Sequence, residues 1–199
     1  MADILSQSQR HKNMVAIHSA STKPELKLRH ALWQAGFRYR INDKKLPGKP
    51  DIVLPKYRTV IFVNGCFWHG HQGCKKYTIP QTNTEFWTKK ISRNQERDQE
   101  IWRHLNAMGW NVIIIWECEL TKRCLSETLS RVSDELQHNL STRLVEQKER
   151  KESRAQYIKE QERKKAVSDS VLAELKQPCT LTSAHKELRP NPPCSESQQ

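Results

Sequence analysis

Thr59-Val60-Ile61-Phe62-Val63-Asn64-Gly65-Cys66-Phe67-Trp68-His69-Gly70-His71-Gln72-Gly73-Cys74 is the stretch on which the reading of this chain turns. Its first third, Thr59–Val63, is short and almost wholly apolar, which predicts a strand buried on both faces. From Gly65 the composition switches to Gly, Cys and His, so the strand delivers a loop of ligand-type side chains to one edge of a sheet. Three such residues, Cys66, His71 and Cys74, fall within nine positions. That density predicts a metal site more readily than incidental free thiols.

Working outward, Leu46-Pro47-Gly48-Lys49-Pro50 is a turn that hands Asp51 to the start of Ile52-Val53-Leu54, a second short strand. Thr22-Lys23-Pro24-Glu25 places a hydroxyl and then a proline before a helical run that Gly36 ends. Phe37–Ile41 reads as a further short strand. Downstream, Glu85 to Met108 has helical spacing with Phe86, Ile91, Ile101 and Leu105 as apolar anchors, and Gly109 terminates it. Asn111–Trp116 is another near-continuous apolar strand, and a helix is expected from about Leu125. The order α, β, β, β, α, β, α predicts an α/β fold, a mixed sheet flanked by helices.

The 199 residues carry 34 basic and 22 acidic side chains, a net charge of +12, and 36% hydrophobic residues. No apolar run approaches the roughly 18 residues of a membrane span. The amino terminus lacks the pattern of an export signal, so neither a membrane protein nor a secreted scaffold is expected. Through Leu140 there are 22 basic and 13 acidic residues, so the positive excess belongs to the part expected to fold. A basic domain attracts polyanions, nucleic acid foremost. Residues 141–177 hold 10 basic and 7 acidic residues and no Gly or Pro, consistent with a charged helical extension or with disorder. Residues 178–199, with four prolines, are expected to be a disordered tail. Three regions result: 1–140, 141–177 and 178–199.

Zinc takes four N or S donors, and a structural site commonly draws them from two distant segments. Cys118, at the end of the Asn111–Trp116 strand, is the best fourth donor; Cys124 and His69 are alternatives. Cys179 and Cys194 fall in the tail. Asp51 offers a carboxylate for a hard divalent cation. A second acid is absent from the next strand, where Val63-Asn64-Gly65 stands, leaving the Val63 carbonyl as the remaining ligand there. His69, between the thiol ligands, is suited to accept a proton from water at neutral pH. Glu25 either orients a bound water or favours the helix dipole. Phe67 and Trp68 are adjacent large apolar residues in a polar loop, suited to parting or stacking on bases.

Taken together, five stretches resemble the very short patch repair (Vsr) DNA mismatch endonucleases over roughly residues 10–135. They are Lys12-Asn13-Met14-Val15-Ala16-Ile17, Leu46-Pro47-Gly48-Lys49-Pro50-Asp51, Gly65-Cys66-Phe67-Trp68-His69, Thr84-Glu85-Phe86-Trp87 and Trp116-Glu117-Cys118. The resemblance implies a restriction-endonuclease-like three-layer α/β/α fold in a zinc-stabilised domain. It implies strand-specific, Mg²⁺-dependent nicking of double-stranded DNA beside the thymine of a T:G mismatch, the product of 5-methylcytosine deamination.

By the same resemblance Asp51, with the backbone of Val63, binds catalytic Mg²⁺. His69 activates water, Glu25 sits near the centre, and Cys66, His71, Cys74 and Cys118 hold structural Zn²⁺. Phe67, Trp68 and Trp87 enter the DNA from the major-groove side and Met14 from the minor groove. Better-known members carry Thr-His where this chain has Val63-Asn64, which alters side-chain support for the attacking water. Gly73 is an added residue between His71 and Cys74. The family context implies a monomer in the bacterial cytoplasm at the nucleoid, with mismatch-repair proteins as contacts and a cytosine-5 methyltransferase as functional companion. A nicking or restriction-type nuclease without a mismatch requirement, or a non-catalytic zinc-stabilised DNA-binding module, are the alternatives.

Overall fold

A computed structural model describes residues 8–9 and 21–175, with side chains through residue 172. Met14, Cys179, Cys194 and the expected tail 178–199 lie outside the described residues. The chain divides into two units between Glu149 and Arg150.

In the first unit, helix α1 (Lys23–Gln34) begins at Thr22 with a proline in its first turn. The Glu25 side chain reaches back to accept the Thr22 N–H at 3.2 Å, satisfying a donor that the helix start leaves open. Strands β1 (Ile52–Leu54) and β2 (Thr59–Asn64) pair antiparallel, with Ile52 opposite Ile61. They are joined by a 3₁₀ turn, Pro55–Tyr57, that closes on Arg58 in the left-handed region. Helix α2 (Thr84–Ala107) then crosses back so that β3 (Asn111–Trp116) pairs parallel to β2, as a parallel pair requires. The sheet order is β1-β2-β3, which puts β2 at the centre.

Alternating side chains build a core on each face of this sheet. Ile52, Leu54, Ile61, Ile113 and Ile115 pack with Leu28 and Leu32 of α1 and with Val132 and Leu136 of α3 (Leu125–Leu175). Val53 and Val60 pack with Leu105 of α2 on the other. Each fully buried Leu or Ile stabilises the fold by about 1.5–3 kcal/mol relative to an exposed one.

Two expectations need adjusting. Phe37–Ile41 is not a strand; only Arg40 pairs, in an isolated antiparallel bridge with Val53, because Phe37 turns inward to the core instead. Complete burial of β2 on both faces holds for Thr59, Val60 and Ile61, whereas Phe62 and Val63 are half-buried where the strand nears the loop. Of the two readings for 141–177, the described part is helical, as the continuation of α3 to Leu175.

Candidate active site and metal cluster

The topology brings the chemistry to one end of the sheet. Because β1 runs against β2, the residue before β1, Asp51, lies beside the end of β2. Because β3 runs with β2, the residues after β3 arrive at that same end. Asp51, Asn64, the loop from Gly65, and Cys118 therefore converge. Gly48 shapes the approach to Asp51: it has φ +69°, and a Cβ there would run into the Ile101 side chain of α2.

The Asp51 carboxylate accepts the Val63 N–H at 2.8 Å. Burial pushes its carboxyl up to about 6 from 3.8; the Val63 hydrogen bond opposes this, the charge of Glu25 adds to it, and Arg29 and His69 oppose it. Glu25 is buried and is brought close to Asp51, but both of its oxygens are occupied. Oε1 accepts from the Thr22 N–H and hydroxyl, and Oε2 from the Ser21 N–H and from Arg29 at 2.9 Å. Arg29 was not legible as a site residue; its guanidinium also donates to the Asp51 carbonyl at 3.2 Å and so links α1 to the turn. Asn64 is 4% exposed, and its Nδ2 has no hydrogen-bond partner among the described residues.

His69 does not join the metal cluster. Its Nδ1 hydrogen-bonds the Asp98 carboxylate of α2, a residue that is itself buried. A carboxylate can only accept, so Nδ1 carries a proton, and in the neutral ring Nε2 keeps the lone pair. The loop backbone is fastened to the same helix. Asn94 donates to the Trp68 carbonyl at 2.9 Å, and Gln95 to the His69 and Gly70 carbonyls, each at 3.3 Å. Gly70, at φ +65°, lies so close to Gln95 and Ile91 that a Cβ there would force those side chains to shift. Asp98, Asn94 and Gln95 escaped sequence reading. The signal for Asp98 was there: it sits at the midpoint of the buried stripe Ile91, Asp98, Leu105, where an unpaired carboxylate would be costly.

Cys66, His71, Cys74 and Cys118 place their donor atoms within 4.8 Å of one another. A tetrahedron with metal–sulfur bonds of about 2.3 Å has edges of about 3.8 Å, so the cluster is close to the required size. Cys118 completes it, from the 3₁₀ turn Glu117–Leu120 after β3, with its Sγ 3.4 Å from the His71 Nδ1. Burial pushes the Cys66 thiol up and the Cys118 thiol up to about 12, with the neighbouring sulfurs adding to the second. The Lys76 N–H, directed at the Cys74 sulfur, lowers that thiol. Three crowded sulfurs and an imidazole form a donor set that a soft or borderline divalent cation relieves. The His71 ring stacks on Trp116 with centroids 4.1 Å apart, which fixes its orientation.

Phe67, Trp68 and Trp87 meet as one cluster, with ring centroids 5.2 to 5.9 Å apart, and Phe86 joins through Trp87 at 5.3 Å. Lys90 places its ammonium 5.4 Å from the Trp68 ring. Phe67, Trp68 and Trp87 are each only half-buried, so the aromatic cluster keeps an accessible surface beside His69.

A carboxylate within electrostatic reach of a carboxylate-oriented imidazole, on a basic α/β unit, is equipment suited to a phosphodiester-cleaving endonuclease. Comparison with known proteins gives that class a family. The family described as DNA mismatch endonuclease Vsr matches residues 2–76. A type II nicking enzyme of Neisseria meningitidis serogroup A, V.NmeAIP, is 50% identical over 137 residues, 68% of this chain and 97% of its own. The DNA mismatch endonuclease Vsr of Escherichia coli K12 is 46% identical over 123 residues, 62% of this chain and 78% of its own. The type II nicking enzyme V.XorIIP of Xanthomonas oryzae is 45% identical over 121 residues, 61% and 88% of the two chains. The chain belongs to the Vsr family of endonucleases. Among the described residues, no helix is long and apolar enough to cross a membrane.

Proposed function

We propose that this protein nicks one strand of duplex DNA beside the thymine of a T:G mismatch, with Mg²⁺ at Asp51 and Zn²⁺ in the Cys66, His71, Cys74, Cys118 cluster. The observation that carries the reading is the pairing of His69 with Asp98 close to the half-buried Asp51. The sheet, with α1 and α3 on one face and α2 on the other, is read as a restriction-endonuclease-like three-layer domain through residue 140, followed by the 141–177 extension.

A divalent cation, when bound, supplies charge neutralisation at the phosphate. The Asp51 carboxylate and the Val63 backbone carbonyl would hold it as oxygen ligands. In the proposed mechanism His69 Nε2 takes the proton of the attacking water, and Asp98 holds the ring and stabilises the imidazolium that forms. Asn64, whose buried Nδ2 has no partner among the described residues, donates a hydrogen bond to the substrate phosphate. Glu25 acts through Arg29, whose guanidinium holds the Asp51 backbone in place. Phe67, Trp68 and Trp87 provide the surface that enters the base stack, and Met14 is assigned to the opposite groove.

Because a single mismatch has no two-fold symmetry, the protein acts as a monomer. A cytosine-5 methyltransferase is its functional companion, mismatch-repair proteins are its contacts, and the bacterial cytoplasm, at the nucleoid, is its place of action. The decisive experiment compares a duplex bearing one T:G pair with its T:A twin, with and without Mg²⁺. Faster nicking of the T:G duplex, only with Mg²⁺, is expected; no cutting of either would overturn the assignment. The names of the relatives V.NmeAIP and V.XorIIP, type II nicking enzymes, favour a second reading in which sequence context alone directs the nick. Equal rates on the two duplexes would select it.

A further inference from the structure

The relative V.NmeAIP, matched over 97% of its own length, reaches only 68% of this chain. Helix α3 continues through the second unit as a run of exposed residues from Arg150 to Leu172. Residues 150–165 of that run hold seven basic and three acidic side chains. Their distribution around the helix is uneven. At 3.6 residues per turn, Arg150, Lys151, Arg154 and Lys165 share an arc of about 100° with Ile158 and Gln161. No carboxylate lies in that arc before Asp169. Glu152 and Glu160 fall on the other side, where Glu160 pairs with Lys164 at 3.6 Å, and Glu162 lies about 20° beyond Lys151, just outside the arc.

We propose that this helix is a DNA-backbone-binding arm whose basic face, Arg150, Lys151, Arg154 and Lys165, lies along duplex phosphates. The proposal rests on the reading that this protein acts on DNA. Charge complementarity argues for the occupant: an arc with four cations and no carboxylate before Asp169 suits a polyanion. The row extends about 22 Å at 1.5 Å rise per residue, the length of about six base pairs at 3.4 Å each. Three of its four charges lie within the first turn and a half, and arginine binds phosphate through a planar fork of donors. Phosphate binding of this kind carries no base information, so the arm raises affinity for matched and mismatched duplexes alike.

The test is binding of a fluorescein-labelled, fully matched duplex to the full chain in Mg²⁺-free buffer, followed by anisotropy over a range of KCl concentrations. The variant carries Arg150→Gln, Lys151→Gln, Arg154→Gln and Lys165→Gln together; glutamine is about as good a helix former as the residues it replaces. Its log–log salt dependence is expected to become shallower by about 0.9 for each phosphate left unneutralised, up to about 3.6. Arg150→Lys with Arg154→Lys should keep the native slope, because the charges remain. The pair Lys159→Gln with Arg163→Gln, on the other side of the helix, should change it far less. An unchanged slope in the quadruple variant overturns the proposal, as does an equal change from the Lys159, Arg163 pair. Cutting plays no part in this readout, so its failure is distinct from failure of the T:G assay.

Discussion

His69 and Asp98 lie 29 positions apart in the chain and share one hydrogen bond, Nδ1–H to Oδ2. The His69 side chain is 23% exposed and that of Asp98 10%, so the carboxylate is sheltered while the imidazole keeps access to solvent. Replacing Asp98 by Asn leaves the shape in place but offers Nδ1 an amide that is free to present its NH₂. Single-turnover nicking should fall about 10²–10⁴-fold, with DNA affinity nearly unchanged, since orientation of the base is lost and phosphate binding is not.

Metal removal should act through stability. Cys118 is supplied from the end of β3 and closes a cluster otherwise drawn from the loop, so Cys118→Ser unties the loop from the sheet. Elemental analysis is expected to find one zinc per wild-type chain and markedly less in the variant. Thermal unfolding should drop by on the order of 10 °C, as it should for wild type treated with a strong chelator.

Asp51 yields a pH prediction with a definite sign. Its carboxyl titrates near 6 in the folded chain against 3.8 when exposed, chiefly through burial, so the folded state holds the proton more tightly. The contribution of this group to stability is therefore complete below about pH 4 and is lost as pH rises through 6. In cation-free protein, Asp51→Asn should raise unfolding stability at pH 7.5 by up to about 3 kcal/mol, at 1.36 kcal/mol per pH unit, and by almost nothing at pH 4. Denaturant unfolding at the two pH values checks it, and the same variant should not nick DNA.

The aromatic cluster should be measurable one ring at a time. Trp68 touches Phe67 and Trp87 edge-on or tilted and retains accessible surface. Trp68→Ala should weaken binding to a T:G duplex by about 1–3 kcal/mol, the usual worth of stacking one base on an aromatic ring. Competition titration with labelled duplex provides the number, and a variant that binds as tightly as wild type would remove Trp68 from the interface.

What could be read in advance was local. The stretch from Thr59 to Cys74 contains a strand, the proposed base and three of the four cluster residues in one continuous piece, so its spacing spoke for itself. Cys118 was reachable because an apolar strand must end somewhere and a thiol stood at that end. Arg29 and Asp98 were not reached, because each acts on a partner 22 or 29 residues away that only the folded sheet brings near. Both left a trace, charge on a buried helix face: Glu25 and Arg29 among Leu28, Ala31 and Leu32 in α1, and Asp98 between Ile91 and Leu105 in α2. Phe37–Ile41 misled for the opposite reason, having strand-like composition but meeting β1 at only one residue.

The loop between Gly65 and Cys74 is held by Asn94, Gln95 and Asp98 of α2 on one flank, and on the other the Cys118 sulfur lies against His71. Transplanting that loop alone into another scaffold would carry over its lettering and none of its rigidity. A working graft between relatives must move as a three-piece set, with the helix segment and the cysteine turn exchanged together. Chimeras cut at the loop boundaries should fail in the same manner whichever parent donates.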